Sequence, residues 1–273
     1  MKKIMILSMV VSLNFCGTYQ PNTLIAAINK NRFAQWLTKK QAPIFAQIAQ
    51  TPAAQEYQQL AQEAQEVFKI KETLQIRNAP ETLIQMIKKT TGFTFSGLYM
   101  PGTIFINEKK LDKTTYGAKR FALYHEMAHA CYYDQANAFL LSSCVSMPTF
   151  VISWFALNKL FQHYNVHAFG TGFIGKLVLS LFPSNIAGSI ATNSYLPYCE
   201  RRADLCAAHA MHCHECINDV VKRRAHWKQA KKTLCKKHGY LTVQELETIA
   251  QEYRETNCLC TYHAKQQDQL ASS

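Results

Sequence analysis

Hydrophobic positions in the first third of the chain recur at three- and four-residue spacing, the period of amphipathic helices. This spacing runs through residues 22–70, where Pro43 and Pro52 are expected to separate one helix from the next. It returns in the stretch "ETLIQMIKKTTG", which predicts a helix that closes at Gly92. Helices are therefore expected to dominate the N-terminal part of the chain.

The spacing changes between residues 93 and 107. In "FTFSGLYMPGTIFIN" β-forming residues flank the turn residues Pro101 and Gly102, which predicts a strand pair with "GTIFIN" as its second strand. After Gly117 the helical spacing resumes in "AKRFALYHEMAHACYY", and no proline interrupts it. The predicted fold class is therefore mainly α with a small β-sheet, α+β.

A long apolar region follows this helix. Residues 135–199 contain no Asp or Glu, and within them residues 138–157 form an uncharged run of about the length that crosses a bilayer. A second apolar run, residues 166–190, is interrupted by Lys176. We interpret the two runs as a membrane-associated hairpin in preference to two buried helices.

Composition and charge add constraints on partners and compartment. The chain has 273 residues, a formal net charge of +12 and a pI near 9.2, which favours anionic partners such as lipid headgroups or nucleic acid. Lys2 and Lys3 precede a short apolar run, as in an export signal. Ten cysteines suit disulfides in an oxidising compartment or metal binding in a reducing one. The expected location is membrane-associated or exported, in the cell envelope.

The stretch "RFALYHEMAHACYYD" carries the clearest chemical signal. His125 and His129 are four residues apart on the predicted helix and so share one face. Their imidazoles can bind one ion, and zinc accepts such ligands at about 2.0–2.1 Å. Glu126 is adjacent and can take a proton from a metal-bound water and pass it to the leaving amine. The H-E-x-x-H spacing therefore predicts a zinc peptidase centre with Glu126 as catalytic base.

A catalytic zinc ion usually has three protein ligands, so one more is required. The residues after His129, "ACYYDQ", lack the further histidine of the metzincins, which favours a carboxylate. Asp134 is judged too close in sequence, and the next acid is Glu200. Glu200 and Asp204 are four residues apart on a predicted helix. We predict that Glu200 is the third ligand and that Asp204 orients a ligand histidine.

The motif "HEMAH", followed after a hydrophobic insert by "ERRAD", resembles the M48 peptidases, a gluzincin family that includes membrane proteases. The resemblance covers about residues 75–215. It also implies that "PGTIFIN" is an edge strand, which would pair with extended substrate. The roles that it implies are one zinc ion with ligands His125, His129 and Glu200, a base at Glu126 and an orienting residue at Asp204.

The resemblance also implies a zincin-like peptidase core with a hydrophobic helical insert between the two metal-binding motifs. The predicted organisation has five parts: a signal peptide or N-terminal anchor (1–20), a helical lead-in (21–70), the peptidase domain (71–220), the hydrophobic, membrane-associated insert within it (138–190), and a basic, cysteine-containing helical tail (221–273).

Other polar clusters leave alternatives open. Cys213 and Cys216 could supply half of a structural zinc site, pair as disulfides or pack as small apolar residues. Glu215 and Asp219 repeat the carboxylate spacing and are the less favoured third-ligand pair. Residues 222–240 contain eight Lys or Arg and no acid. A solvated helix face or contact with anionic lipid is favoured there over nucleic acid.

The predicted function is that of a zinc-dependent endopeptidase acting on protein or peptide substrates. The residue that stabilises the oxyanion is left open, with His209 as a suggestion because it lies one turn past Asp204. One alternative is a soluble regulatory zinc peptidase of the ImmA/IrrE type. The other is a non-enzymatic Cys/His zinc-binding module whose basic tail contacts nucleic acid or lipid.

Overall fold

The computed structural model describes residues 32–46, 51–92, 94–163, 173–227, 233 and 237–255. These residues are mostly helical with a small three-stranded mixed sheet, which confirms the predicted α+β class. The predicted signal segment, residues 1–20, lies outside the described residues. In chain order the elements are α1 (Arg32–Ala46), α2 (Gln55–Val67), β1 (Gln75–Asn78), α3 (Glu81–Thr91), β2 (Gly97–Met100), β3 (Thr103–Ile106), α4 (Glu108–Leu111), α5 (Tyr116–Cys131), α6 (Asp134–His163), α7 (Phe173–Met211), α8 (His214–Ala225) and α9 (Val243–Glu252).

The chain divides into two compact units. The larger unit comprises residues 35–135 and 197–273, and the smaller unit comprises residues 1–34 and 136–196. The H-E-x-x-H motif and the "ERRAD" motif both lie in the larger unit, although most of α6 and much of α7 between them belong to the smaller one.

The termini of several elements follow the sequence prediction. Helix α3 ends at Gly92, which adopts the left-handed conformation (φ 77°) that glycine allows without steric cost. The turn between β2 and β3 contains Gly102, also with positive φ (76°). Pro43, however, lies inside the last turn of α1, so the prediction that it separates two helices is wrong. Ala42, next to this proline on α1, lies against the turn of the sheet, since a Cβ at Gly102 would lie 2.5 Å from the Cβ of Ala42.

The sheet has the strand order β1-β3-β2. Strand β3 pairs in parallel with β1 and antiparallel with β2, and all four of its residues are buried. The prediction that "PGTIFIN" forms an edge strand is therefore wrong. The reason is that residues 75–78, which the sequence pattern did not mark as a strand, cover one side of β3. Strand β2 is instead the edge that packs against α5.

The core of the larger unit extends beyond the predicted peptidase segment. Tyr57 and Leu60 on α2 are buried in the same cluster as Tyr124 and Met127 on α5. Leu246 on α9 belongs to that cluster as well. Parts of both the predicted lead-in and the predicted tail therefore build the body that positions the motif helix.

The smaller unit is described mainly by α6 and the first part of α7. Small residues face one another between these helices: the Ser146 hydroxyl donates to the Ser184 carbonyl (3.0 Å). A Cβ at Gly188 would lie 2.2 Å from the Ser146 hydroxyl oxygen. Lys176, the charge that interrupts the second apolar run, donates to the side chain of Asn158 (2.8 Å).

Large apolar side chains of this helix pair remain on its surface. Phe155 on α6 is 64% exposed and Phe182 on α7 is 70% exposed. Helix α6 is the one helix, within the described residues, that is long and apolar enough to cross a membrane, with a mean hydropathy of 1.6 in its best window. No residue of that window is fully buried within the part of the chain that the structure describes.

Candidate metal centre

Helix α5 carries the H-E-x-x-H motif through the larger unit. Its N-terminus is capped by the Thr115 hydroxyl, which accepts a backbone N–H of the first turn at 3.4 Å. Gly117 lies close to α8, because a Cβ there would come within 2.7 Å of the Cα of Cys216. His125 and Glu126, two turns further on, are both buried. The motif is therefore held by a helix with fixed ends and a close helical neighbour.

The C-terminal part of α7 brings Glu200 to the two histidines. The Nε2 atom of His125 lies 3.1 Å from Oε2 of Glu200 and 3.1 Å from Nε2 of His129. The Nε2 atom of His129 lies 3.7 Å from Oε1 of Glu200. One ligand atom from each of the three residues lies within 4.8 Å of the other two. The helices thus collect the three residues that the sequence singled out as metal ligands.

These separations suit a metal ion. Two ligand atoms at about 2.0–2.1 Å from a tetrahedral ion lie about 3.3–3.4 Å apart. Two imidazoles and a carboxylate also form a donor set found in catalytic zinc sites. Within the described ranges this is the one group of three or more His, Cys, Asp and Glu side chains arranged to hold a metal. Both the spacing and the chemistry of the donors fit a single zinc ion.

A buried chain of polar groups orients His125. Its Nδ1 lies 2.9 Å from Oδ1 of Asp204, a fully buried carboxylate. The second oxygen of Asp204 accepts the Leu241 N–H (2.9 Å) and pairs with Arg224 (2.8 Å). Burial opposes ionisation of Asp204, but the Arg224 charge and the His125 contact hold the pKa of the carboxyl below its usual value. A charged Asp204 at Nδ1 leaves Nε2 of His125 directed at Glu200 and His129.

A second carboxylate orients His129. Its Nδ1 lies 2.8 Å from Oδ2 of Asp134, and the other oxygen of Asp134 pairs with Arg202. The intervening Tyr133 has a positive φ of 52°, which ends α5 and turns the chain back so that Asp134 reaches the imidazole. The Arg202 guanidinium lies over the Tyr132 ring at 4.0 Å. The sequence pattern excluded Asp134 as a ligand and did not predict its contact with His129. The available signal was the five-residue spacing between these two residues.

The edge strand β2 positions Glu126. The backbone N–H of Tyr99 donates to Oε2 of Glu126 at 2.7 Å. Gly97 leaves room for this side chain, because a Cβ at Gly97 would lie 2.6 Å from Cγ of Glu126. Burial raises the pKa of the Glu126 carboxyl, and the nearby His125 and His129 offset part of this effect. The carboxylate is therefore held by backbone beside the imidazoles and is more basic than an exposed glutamate.

Charge pairing between Glu200 and the two histidines is strong. Burial alone would lower the pKa of His125, but hydrogen bonds with Asp204 and Glu200 raise it well above its usual value. The pKa of Glu200 is shifted in the opposite direction: burial would raise it, and the contacts with His125 and His129 lower it. A metal cation at this position would take over the role of the imidazole protons as counter-charge to Glu200.

Tyr240 is a further residue at the centre that the sequence did not indicate. Its ring stacks on His125, with centroids 5.9 Å apart and planes at 23°, and its hydroxyl faces the Glu200 carboxylate. Burial, followed by the charge of Glu200, raises the pKa of the phenol well above its usual value. His209, the suggested oxyanion donor, is turned elsewhere: its Nδ1 lies 3.0 Å from the Tyr253 hydroxyl.

The other predicted clusters lie away from these ligands. Asp219 accepts the Gly117 N–H (3.2 Å), so it ties α8 to α5. Cys213 caps α8 by accepting the Cys216 N–H at 3.4 Å. In the basic stretch, Arg224 is buried against Asp204, which differs from the predicted solvated helix face. The sequence did not indicate that Arg224 is buried, because its neighbours in this stretch are also basic.

Two helices here bring together paired imidazoles and a carboxylate, and a further carboxylate lies beside them. This arrangement is that of metal-dependent peptidase centres built on H-E-x-x-H. The model of the family described as Peptidase family M48 matches residues 54–246, well over half of the chain, and the chain belongs to this family. It is accordingly a metallopeptidase. Searches of curated proteins and of solved structures gave no significant match.

Proposed function

We propose that the protein is a zinc-dependent endopeptidase whose catalytic base is Glu126. The observation that carries the proposal is the convergence of His125, His129 and Glu200 around one point, with Glu126 held beside them. The M48 family match supports the peptidase class. In this proposal His125, His129 and Glu200 hold the ion, while Asp204 acts on His125 as an orienting residue.

Zinc in such a site supplies a Lewis acid that polarises the scissile carbonyl and lowers the pKa of water. The residues of the chain supply the rest. Glu126 takes the proton of the attacking water and passes it to the leaving amine, which requires a carboxylate more basic than an exposed one. The buried position of Glu126 meets this requirement, and the Tyr99 N–H fixes which oxygen is available.

Strand β2 offers a place for an extended substrate. In the described sheet it pairs with β3 on one side only, and the Tyr99 N–H on its other side already points to Glu126. A peptide added along that side would run past the catalytic base and the metal ligands. Binding through backbone along a strand favours cleavage within a chain, and for this reason we propose an endopeptidase.

Membrane association is part of the proposal. It is supported by the exposed apolar surface of α6 and α7, by the length of α6 and by the small residues packed between the two helices. We propose that residues 138–190 anchor the enzyme in a membrane of the cell envelope. A membrane-anchored enzyme of this kind would act on protein or peptide substrates near the lipid surface.

The proposal is tested with the substitution Glu126→Gln. Because the amide cannot accept the proton, we expect peptide cleavage to fall by at least about 100-fold. Zinc content, measured by elemental analysis, should stay at one ion per chain. His129→Ala should instead lose both the ion and activity. Glu215→Gln, which alters the repeated motif on α8, is the matched control and should cleave at the wild-type rate.

A Glu126→Gln variant that still cleaves at the wild-type rate would show that the base is assigned wrongly. A chain that binds no zinc when His125 and His129 are intact would contradict the metal site itself. Zinc that disappears only on replacing Cys213 and Cys216 would favour the non-enzymatic Cys/His module instead.

A further inference from the structure

Tyr240 occupies a position at the metal ligands that the mechanism above does not use. Its ring stacks on His125 with centroids 5.9 Å apart, and its hydroxyl faces Glu200, which is itself 3.1 Å from Nε2 of His125. The phenol O–H therefore lies next to the point where the three ligand atoms meet. A phenol O–H is a hydrogen-bond donor, so it can donate to a group bound at that point.

The backbone around Tyr240 is fixed on both sides. Gly239 adopts a positive φ of 85°, and a Cβ on it would lie 1.9 Å from the carbonyl oxygen of Pro197, so glycine is required at this turn. On the other side the Leu241 N–H donates to Asp204 and the Leu241 carbonyl accepts from Arg224 (2.6 Å). The same carboxylate that orients His125 thus anchors the residue next to Tyr240.

The Tyr240 ring is half-buried and has two close neighbours. The guanidinium carbon of Arg224 lies 5.8 Å from the ring centroid, and the His125 imidazole stacks on the ring at 5.9 Å. A donor held by stacking and by an anchored backbone loses little entropy when it binds a developing charge, which is the condition for effective electrostatic catalysis.

The other polar donors around the centre already have partners. Arg224 pairs with Asp204, Arg202 pairs with Asp134, and the Tyr99 N–H donates to Glu126. The Tyr240 hydroxyl has Glu200 as its partner, but that carboxylate would be neutralised by a bound cation. A tetrahedral oxyanion beside it carries a full negative charge and is then the stronger acceptor.

We propose that Tyr240 is a further catalytic residue, which donates a hydrogen bond to the oxyanion of the tetrahedral intermediate during peptide hydrolysis. This assignment rests on the proposed peptidase function and adds the oxyanion donor that the sequence could not identify. The hydroxyl exchanges its partner from Glu200 to the substrate oxygen as negative charge develops, and it keeps its proton throughout.

The test is the substitution Tyr240→Phe, which removes the hydroxyl and keeps the ring that packs on His125. We expect kcat for a cleaved peptide to fall about 100- to 1,000-fold, the loss typical of one oxyanion donor, with little change in KM. Affinity for a phosphinic peptide, a tetrahedral mimic, should fall by a comparable factor, whereas affinity for a product peptide should not. Zinc affinity, measured by competition with a chelator, should be unchanged.

Tyr57→Phe is the matched control. It removes another buried hydroxyl that donates to a carboxylate, that of Asp112 at 2.6 Å, and it should keep the wild-type kcat. A Tyr240→Phe variant whose zinc affinity falls and whose rate recovers with excess zinc would overturn the assignment, because Tyr240 would then act only on Glu200. An unchanged kcat in that variant would overturn it as well.

Failure of the proposed function itself looks different. In that case the wild-type chain would bind zinc but would neither cleave peptides nor bind the phosphinic peptide. If the wild type is active and Tyr240→Phe binds the phosphinic peptide with the same affinity, only the Tyr240 assignment is rejected.

Discussion

At the scale of single residues, each histidine of the H-E-x-x-H motif contacts a carboxylate that is itself paired with an arginine. Asp204 joins His125 to Arg224, and Asp134 joins His129 to Arg202. Carboxylates at Nδ1 fix the tautomer and orientation of an imidazole and make Nε2 a better ligand. Both arginines are largely buried, so the two charge pairs are shielded from screening by solvent.

The residue-scale prediction concerns Asp134, which the sequence pattern did not mark. We expect Asp134→Asn to weaken zinc binding about 10- to 100-fold, because an amide can hold the imidazole in the wrong tautomer. Affinity is measured by competition with a zinc chelator. Asp112→Asn, which alters a carboxylate bonded to Tyr57 instead, is the control and should bind zinc normally. Equal zinc affinity in Asp134→Asn and wild type would refute the orienting role.

At the scale of elements, the start of helix α9 is bound to the part of α7 that carries Glu200. It begins with a capping box in which the Thr242 hydroxyl accepts the Glu245 N–H and the Glu245 carboxylate accepts the Thr242 N–H (2.7 Å). The same carboxylate pairs with Arg201, the neighbour of the ligand Glu200 on α7 (2.6 Å). The start of α9 therefore links the second motif to the segment that delivers Tyr240.

The element-scale prediction is a pH dependence. The Arg201 hydrogen bond, helped by the Thr242 backbone, lowers the pKa of Glu245 from 4.5 to about 2. A carboxyl whose folded pKa is depressed stabilises the fold above its unfolded pKa, and this contribution is lost as the pH falls through the folded pKa. Glu245→Gln should therefore be less stable than wild type at pH 7, by about 0.5–1 kcal/mol as for an exposed ion pair.

The measurement is urea unfolding of wild type and Glu245→Gln at several pH values. We expect the difference in stability to remain constant down to about pH 4.5 and then to shrink toward pH 2, where the carboxyl is protonated. A difference that grows with acidification would contradict the depressed pKa. Carboxyl groups other than Glu245 titrate in both proteins, so their effects cancel in the comparison.

At the scale of the whole molecule, the two units bury different kinds of surface. The larger unit has a continuous apolar core, to which α2, α5 and α9 contribute. The smaller unit packs small residues between α6 and α7 and leaves large apolar residues such as Ile152 exposed (68%). Such a distribution fits helices surrounded by lipid, since association in a membrane relies on close packing rather than on apolar burial.

The whole-molecule prediction is that the chain stays in the membrane pellet after an alkaline carbonate wash. Ile152→Lys should reduce this fraction, since a lysine near the centre of a spanning helix costs roughly 2.5–3.5 kcal/mol. Ile152→Leu is the control and should be retained like wild type. Complete release of the wild-type chain by carbonate would contradict an embedded hairpin and would favour a soluble peptidase.

Local patterns in the sequence were enough for the parts of this protein that depend on short-range physics. Helical spacing predicted α5 as the carrier of the motif, and β-forming residues around Gly102 predicted the β2–β3 pair. The i, i+4 geometry selected His125 and His129, which the fold brings together with Glu200. These features follow from residue spacing along a helix or a strand, and spacing is written in the sequence itself.

Features that depend on distant partners required the tertiary structure. The position of β3 at the centre of the sheet depended on β1, and α1 continued through Pro43 although a proline usually ends a helix. Arg224 looked like part of a solvated basic stretch until the fold placed it against Asp204. Tyr240 gave no signal, because its contact with Glu200 joins residues forty positions apart and depends on a turn that no local pattern specifies.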